Sequence, residues 1–365
     1  MGGESGMKVV SIVGARPQFV KAAMVSRTLE RAGVKEVLVH TGQHYDANMS
    51  EVFFLELGIV APAHNLGVGS GLHGEQTARM LTGIEQVLLA EQPDWTIVYG
   101  DTNSTLAGSL AAVKLHIPVA HVEAGLRSWN RSMPEEINRI LTDHSSTLLF
   151  APTLAAVRTL HKEGIGDGRV RLVGDVMYDA VLFYGKIAES TSNILTRLKL
   201  SRGGYVLATI HRAENTERIE RLEAILGGLA TVARSVPVVL PIHPRTKQVL
   251  AGRLHLREMS KALQLIDAVG YLDMMMLEKN ARVIATDSGG VQKEAFFHRV
   301  PCLTLREETE WGELVQLGCN QLVPPHSKCF IARGIEAALN KVIDVTDSPY
   351  GDGHTAERIA AYLRD

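Results

Sequence analysis

At 365 residues, with 45% hydrophobic side chains, the chain exceeds what one core commonly serves, so a folded protein of two domains is expected. Its 38 basic and 40 acidic side chains leave a formal charge of −2, which argues against a nucleic-acid binder, since phosphate-backbone contacts demand a basic surplus. Three cysteines, Cys302, Cys319 and Cys329, lack C-x-x-C spacing, so neither a disulfide framework nor a zinc site is favoured, and reduced core thiols are expected.

Residues 1–6 are polar and glycine-rich and read as a leader or tag remnant ahead of Met7. Short continuous apolar runs then recur at 8–13, 36–40, 95–99, 119–122, 147–150 and 169–173, with helix-length segments between most of them. Such runs suit strands buried on both faces of a parallel sheet. A second series occupies 205–210, 236–240, 263–266, 281–286 and 301–305, after the polar stretch 189–204. The pattern predicts two doubly wound, Rossmann-like α/β domains, residues 7–178 and 179–350, followed by a C-terminal segment 351–365. No apolar run approaches the ~20 residues of a membrane span, so a cytoplasmic protein without a membrane partner is expected.

The polar clusters fall just after these runs: Gly14-Ala-Arg16-Pro17, Thr41-Gly-Gln43-His44, Gly100-Asp101-Thr102, Glu123-Ala-Gly125, His211-Arg212, His243-Pro-Arg245 and Asp287-Ser-Gly-Gly290. In open parallel sheets the carboxyl ends of strands form the ligand crevice. Two sheets facing each other would enclose a ligand between domains.

The stretch Asp287 to Glu294 is the most informative. Ser288, Gly289 and Gly290 open a helix with uncovered backbone amides at the positive end of its dipole, where a diphosphate can sit. Glu294, about two turns into that helix, is placed to accept from vicinal hydroxyls. Together they outline a nucleotide; the plainer alternative is a tight turn that only glycine permits.

Asp101 and Glu123 end neighbouring runs, and Glu135 follows at a helix entry, Met133-Pro-Glu-Glu136. Gathered carboxylates acquire separated pKa values and can divide acid and base roles. Asp101 also suits a helix N-cap, and Glu135 a first-turn carboxylate beside the dipole. Glu123 has no such inexpensive reason to stand at a buried strand end. His211 is placed to hold a proton or donate to a phosphate. Arg16 and Lys21 flank the first strand-to-helix turn, with Pro17 at the helix start. There is no G-x-G-x-x-G, Walker, H-E-x-x-H or G-x-S-x-G pattern, so neither a dinucleotide cofactor, ATP, zinc proteolysis nor hydrolase-elbow chemistry is expected.

These blocks resemble the non-hydrolysing UDP-N-acetylglucosamine 2-epimerases. The likeness runs through Gly14-Ala-Arg-Pro-Gln, Tyr99-Gly-Asp-Thr, His121-Val-Glu-Ala-Gly-Leu-Arg127, Pro134-Glu-Glu-Ile-Asn-Arg139, His211-Arg, Asp287-Ser-Gly-Gly-Val-Gln-Lys-Glu294 and Gly351-Asp-Gly-His. It implies a glycosyltransferase-B type pair of domains, a homodimer, no metal, no cofactor, and a last helix (355–363) that packs back on the first domain. The implied reaction inverts C2 of a UDP-sugar by eliminating UDP to a glycal and adding it back. Asp101, Glu123, Glu135 and His211 are the implied catalytic residues. Arg16, His243, Arg245, Ser288, Gly289, Gly290 and Glu294 are the implied UDP ligands, with Lys21 and Arg139 as further substrate contacts.

Glu308-Thr-Glu-Trp-Gly-Glu313 and Gly71-Leu-His-Gly-Glu-Gln-Thr-Ala-Arg79 depart from the simple epimerases and resemble the branch acting on UDP-2,3-diacetamido-2,3-dideoxy-glucuronic acid. Arg79, Arg127 and His73 are candidates for the additional polar groups of that substrate, and Trp311 either lines the sugar pocket or fills core, the pocket being favoured. A UDP-dependent glycosyltransferase, a hydrolysing epimerase and a non-catalytic nucleotide-sugar sensor are the alternatives.

Overall fold

The computed structural model describes residues 6–43, 54–242, 244–345 and 348–364, with the backbone alone at 244 and 245. All but the last residue of the expected leader, and His44, thus lie outside the described residues. The chain divides into two compact units, Met1–Phe183 with Ser348–Asp365, and Tyr184–Asp347.

The first unit is built on a parallel seven-stranded sheet: β1 (Lys8–Val13), β2 (Lys35–His40), β3 (His64–Asn65), β4 (Trp95–Tyr99), β5 (Val119–Val122), β6 (Leu148–Ala151) and β7 (Val170–Leu172). Its order is β3-β2-β1-β4-β5-β6-β7. The central strands are buried but for Trp95 at the start of β4 because each meets helices on both faces, which is why they read as apolar runs. Val10, Ile12, Val39, Val98 and Val119 from the strands pack with Met80, Ile84 and Leu88 of the helix His73–Glu91 and Ala107 and Ala111 of the helix Asn103–Lys114. Each such aliphatic side chain stabilises the fold by ~1.5–3 kcal/mol relative to exposure.

The C-terminal helix Thr355–Arg364 belongs to this first unit and packs on the helix Arg16–Arg31. Its first turn is tied by Ala356 N donating to Asp179 Oδ2 (2.7 Å), and Arg358 Nη1 donates to the Val173 carbonyl (3.0 Å). Gly174, at φ +95°, lies so close to Thr355 and the Tyr350 carbonyl that a side chain there would collide with both.

The second unit carries a parallel six-stranded sheet: β8 (Val206–Thr209), β9 (Val238–Ile242), β10 (Gln264–Asp267), β11 (Val283–Thr286), β12 (Cys302–Thr304) and β13 (Asn320–Leu322), in the order β10-β9-β8-β11-β12-β13. One face packs on the helices Ile219–Val232 and Lys328–Ala338 through Leu222, Leu226, Leu229, Ile331 and Ile335. The other covers Leu207, Val239 and Ile284 with Leu277, Val291 and Ala295.

Strands β3 and β13 were not expected from the sequence. Both are edge strands of two or three largely polar residues, His-Asn and Asn-Gln-Leu, which carry no apolar run. Cys302 and Cys319 are buried as expected, whereas Cys329 is exposed. Both sheets reverse their strand order at one point, between β1 and β4 in the first unit and between β8 and β11 in the second. In this fold class that reversal is where loops diverge and leave room for a ligand.

Candidate active site

In the first unit, three strand ends meet at the reversal. After β1 the chain turns tightly at Gly14, where any Cβ would run into the Ser104 and Thr41 hydroxyls. Gln18 locks this turn: its Oε1 accepts from the amides of Gly14 (2.8 Å) and Ala15 (3.0 Å), and its Nε2 donates to the Tyr99 carbonyl (2.7 Å). Arg16 opens the helix and is half-buried, with Pro17 in the first turn. Lys21, one turn further, is buried and forms an ion pair with Glu123, the two side chains being 8% and 10% exposed.

Strands β4 and β5 run in register, Tyr99 beside Val122, so the turns that follow them are neighbours. A Cβ at Gly100 would lie 3.3 Å from Lys21 Nζ and 3.6 Å from Glu123 Oε1. Asp101 is therefore carried beside the Lys21–Glu123 pair. Glu123 adopts φ +74°, a left-handed conformation that side chains other than glycine seldom take and that marks functional sites. Asp101 accepts from Arg139 Nη2 at 2.6 Å, with the Asp101 side chain 30% exposed and that of Arg139 3%. The N-cap of the helix Asn103–Lys114 is Thr102, accepting from Thr105 N at 3.4 Å, so Asp101 is not spent on capping. Glu135 stands half-buried in the first turn of the helix Pro134–Ser145. Its neighbour Glu136 is buried and accepts from the amides of Ser128 (2.8 Å) and Trp129 (2.9 Å) and from Arg139 Nη1 (2.8 Å).

In the second unit, β8 and β11 end in register, Thr209 beside Thr286. Asp287 follows β11, fully buried, and accepts from the amides of His211 and Arg212 and from Asn215 Nδ2, all at 3.1 Å. His211 Nδ1 lies 3.2 Å from Asp287 Oδ1, with the ring 39% exposed, so the carboxylate orients the imidazole with Nε2 outward. Burial pushes the Asp287 carboxyl up, but the His211 charge and the converging donors outweigh it and hold the group below the usual carboxylate range.

The helix Gly289–Phe297 begins at Ser288, whose amide donates to Thr286 Oγ1 at 2.9 Å. Residues 288–290 are half-buried, and a side chain at Gly289 would collide with the Glu310 carboxylate. Glu294 is buried and folds back along the helix, its Oε2 4.0 Å from where a Cβ on Gly290 would stand. Burial, and then the charge of Glu294, push the carboxyl of Glu278 well above its ordinary value. His243 lies outside the described residues; Arg245 is in the helix Pro244–Ala251, its side chain outside the description.

Four side chains expected near the substrate are buried. Lys21 and Arg139, expected to contact substrate, each form an ion pair with a carboxylate, Glu123 and Asp101. Arg127 was a candidate for an added substrate carboxylate, yet its side chain is 1% exposed and bound to Asp143 (2.7 Å) and Glu163 (2.6 Å). Trp311, for which the sequence left pocket and core open, is 2% exposed with Lys293 Nζ 4.1 Å from its ring centre, inside the second unit. Of the other two candidates, His73 is exposed with Nδ1 3.1 Å from Asn103 Nδ2, and Arg79 is exposed on the same helix. Sequence reasoning left out Glu136 and the charged pair Arg306–Glu310 (3.0 Å), whose acid confines Gly289. Its signal for Glu136 was the Pro-Glu-Glu repeat, in which either acid fits the helix entry.

Among the described residues no group of His, Cys, Asp and Glu is arranged to hold a metal, and no helix is long and apolar enough to cross a membrane.

The family pattern described as UDP-N-acetylglucosamine 2-epimerase matches residues 27–364. A Pseudomonas aeruginosa protein, UDP-2,3-diacetamido-2,3-dideoxy-D-glucuronate 2-epimerase, is 50% identical over 361 residues, 98% of this chain and 99% of its own. The structure of Methanocaldococcus jannaschii UDP-GlcNAc 2-epimerase in complex with UDP-GlcNAc and UDP superposes with a TM-score of 0.92 at 46% identity, over 98% of this chain and 99% of that one. A Phytolacca americana protein solved with UDP-2-fluoro-glucose shares the fold alone, at a TM-score of 0.58 and 14% identity over 100% of this chain and 94% of its own. The two Rossmann-like domains are thus of the glycosyltransferase-B type, and the chain belongs to the UDP-N-acetylglucosamine 2-epimerase family.

Proposed function

We propose that the protein interconverts UDP-N-acetylglucosamine and its C2 epimer, UDP-N-acetylmannosamine, by removing and re-adding UDP. The proton on C2 has no adjacent carbonyl to acidify it, so direct abstraction is slow. Loss of the C2 proton together with cleavage of the C1–O bond, UDP leaving with the electron pair, gives a C1=C2 glycal. Return of the UDP oxygen to C1 with delivery of a proton to the other face of C2 completes the inversion.

The observation that carries this reading is the adjacency of Asp101 and Glu123 at the ends of paired strands, each beside a buried cation. A carboxylate beside each of two buried cations is suited to stabilising positive character at C1 and accepting the C2 proton. Glu135 and His211 complete the proposed acid and base groups, with Asp287 orienting His211. The amides of Ser288, Gly289 and Gly290 are proposed to hold the diphosphate and Glu294 the ribose, with Arg16, His243 and Arg245 as further UDP ligands. A homodimer working in the cytoplasm, without metal or cofactor, completes the proposal.

A second substrate, the UDP-2,3-diacetamido-glucuronate, is favoured by the P. aeruginosa relative and by the departures at 71–79 and 308–313. Burial of Arg127 leaves Arg79 and His73 as the candidates for its carboxylate. Incubating the protein separately with each UDP-sugar and resolving products by NMR decides: an equilibrium of C2 epimers from one substrate identifies it. Transfer of the sugar to an acceptor, or free sugar plus UDP, would replace the epimerase reading.

A further inference from the structure

We propose that His121, acting through Asp143, is the positioning residue that sets Asp101 and Glu123 for the reaction. His121 lies in the middle of the apolar strand Val119–Val122 and is fully buried, as is Asp143. Neither can touch substrate. An apolar side chain would serve the core better, so a buried polar pair at this point calls for another reason.

The hydrogen bonds supply one. His121 Nε2 stands 2.7 Å from the carbonyl oxygen of Gly100, the residue before Asp101. Its Nδ1 stands 2.7 Å from Asp143 Oδ1. The other oxygen, Asp143 Oδ2, accepts from the amide of Gly125 at 3.1 Å, two residues after Glu123, and from Arg127 Nη1 at 2.7 Å. Arg127 is held in turn by Glu163, through Nε at 2.8 Å and Nη2 at 2.6 Å. One buried carboxylate thus ties down the turn bearing Asp101, through His121, and the turn bearing Glu123, through Gly125.

Those turns need tying. Gly100, Glu123 and Gly125 all have left-handed backbones, at φ +65°, +74° and +85°. Such conformations persist where the surroundings over-determine them. A carbonyl oxygen can only accept, and Asp143, its carboxyl pushed up by burial but held below the usual range by His121 and Arg127, is ionised. Facing an acceptor at each end, the ring donates from both nitrogens. It is therefore a two-ended clamp rather than a core histidine satisfied on one side.

This inference rests on the reading of Asp101 and Glu123 as catalytic acids, and the test separates the two. In His121→Phe, which keeps volume but neither donor, kcat is expected to fall about 100-fold, the scale of a small misplacement of reacting groups. KM for the UDP-sugar and Kd for UDP should stay within about threefold, because the clamp touches neither. His121→Gln, which keeps one donor, should recover part of the loss. Nitrogen-15 histidine NMR of the wild-type protein, with the His121 ring assigned through its couplings to the backbone, should show both of its nitrogens protonated. This measurement decides even where a variant fails to fold.

A folded His121→Phe with wild-type kcat, a KM that rises as kcat falls, or a bare nitrogen on His121 would overturn the clamp. Asp101→Asn and Glu123→Gln are measured alongside. Full turnover in those two sinks the catalytic reading whatever His121 does, whereas their loss beside an unaffected His121→Phe sinks only the clamp.

Discussion

The two units share a strand order and place their polar residues at the same reversal, yet they furnish it in opposite ways. In the first, the turns carry carboxylates with buried cations behind them, Lys21 behind Glu123 and Arg139 behind Asp101. In the second, the turn is stripped of side chains at Gly289 and Gly290, and the buried carboxylate Asp287 is spent on backbone amides and His211. Paired charges at half-buried turns suit chemistry; bare amides at a helix mouth suit holding a phosphate. One fold thus serves two purposes through the residues just beyond its strands.

The sharpest way to break this division is at the first unit's acids. Asp101→Asn and Glu123→Gln should each lower kcat by about 10³-fold or more, as loss of a charge-stabilising or proton-transfer group does, while UDP binding stays within about threefold. Equal losses in turnover and UDP affinity, by kinetics and calorimetry, would make these residues structural. In the second unit the pattern should invert. Gly289→Ala drives a methyl into the Glu310 carboxylate, and UDP affinity should fall by about 10–100-fold, the scale of a lost charge-assisted contact. Unchanged UDP titration would mean that this helix mouth does not hold the nucleotide.

A smaller effect sharpens the role of Asp287. Because its folded pKa is depressed, the stability it contributes is complete above the ordinary carboxylate range near pH 4 and is lost as pH falls through the lower folded value. Thermal melts of Asp287→Asn should therefore change less than wild type below about pH 4, and turnover should fall about tenfold as His211 loses its orientation. Glu278 runs the other way. With a raised folded pKa, its contribution is complete below the ordinary glutamate value of about 4.3 and is lost as pH rises towards the folded one. Glu278→Gln should melt about 2–4 °C above wild type at pH 8, the smallest of these effects.

Much of this contrast is legible in the sequence, because parallel strands buried on both faces announce themselves as apolar runs and their ends as polar clusters. The runs at 95–99 and 119–122 coincide with β4 and β5, which places Asp101 and Glu123 side by side before any coordinates. The edge strands β3 and β13 are too short and polar to leave such a trace. Partners across the fold are equally silent. Lys21 and Glu123 are 102 residues apart and Arg139 and Asp101 are 38 apart, so an arginine or lysine near a phosphate-like turn reads as a phosphate ligand until its carboxylate is seen. The surroundings of Trp311 are silent for a related reason, since nothing local reveals that Lys293 covers its ring.

The central claim is that UDP leaves and returns while the C2 proton is exchanged by groups of this protein. Running the reaction in deuterium oxide and following C2 of the UDP-sugar by NMR tests it most directly. The account predicts deuterium at C2 in step with epimerisation, and neither exchange nor epimerisation in Glu123→Gln. Epimers that form with the original hydrogen retained at C2 would contradict it.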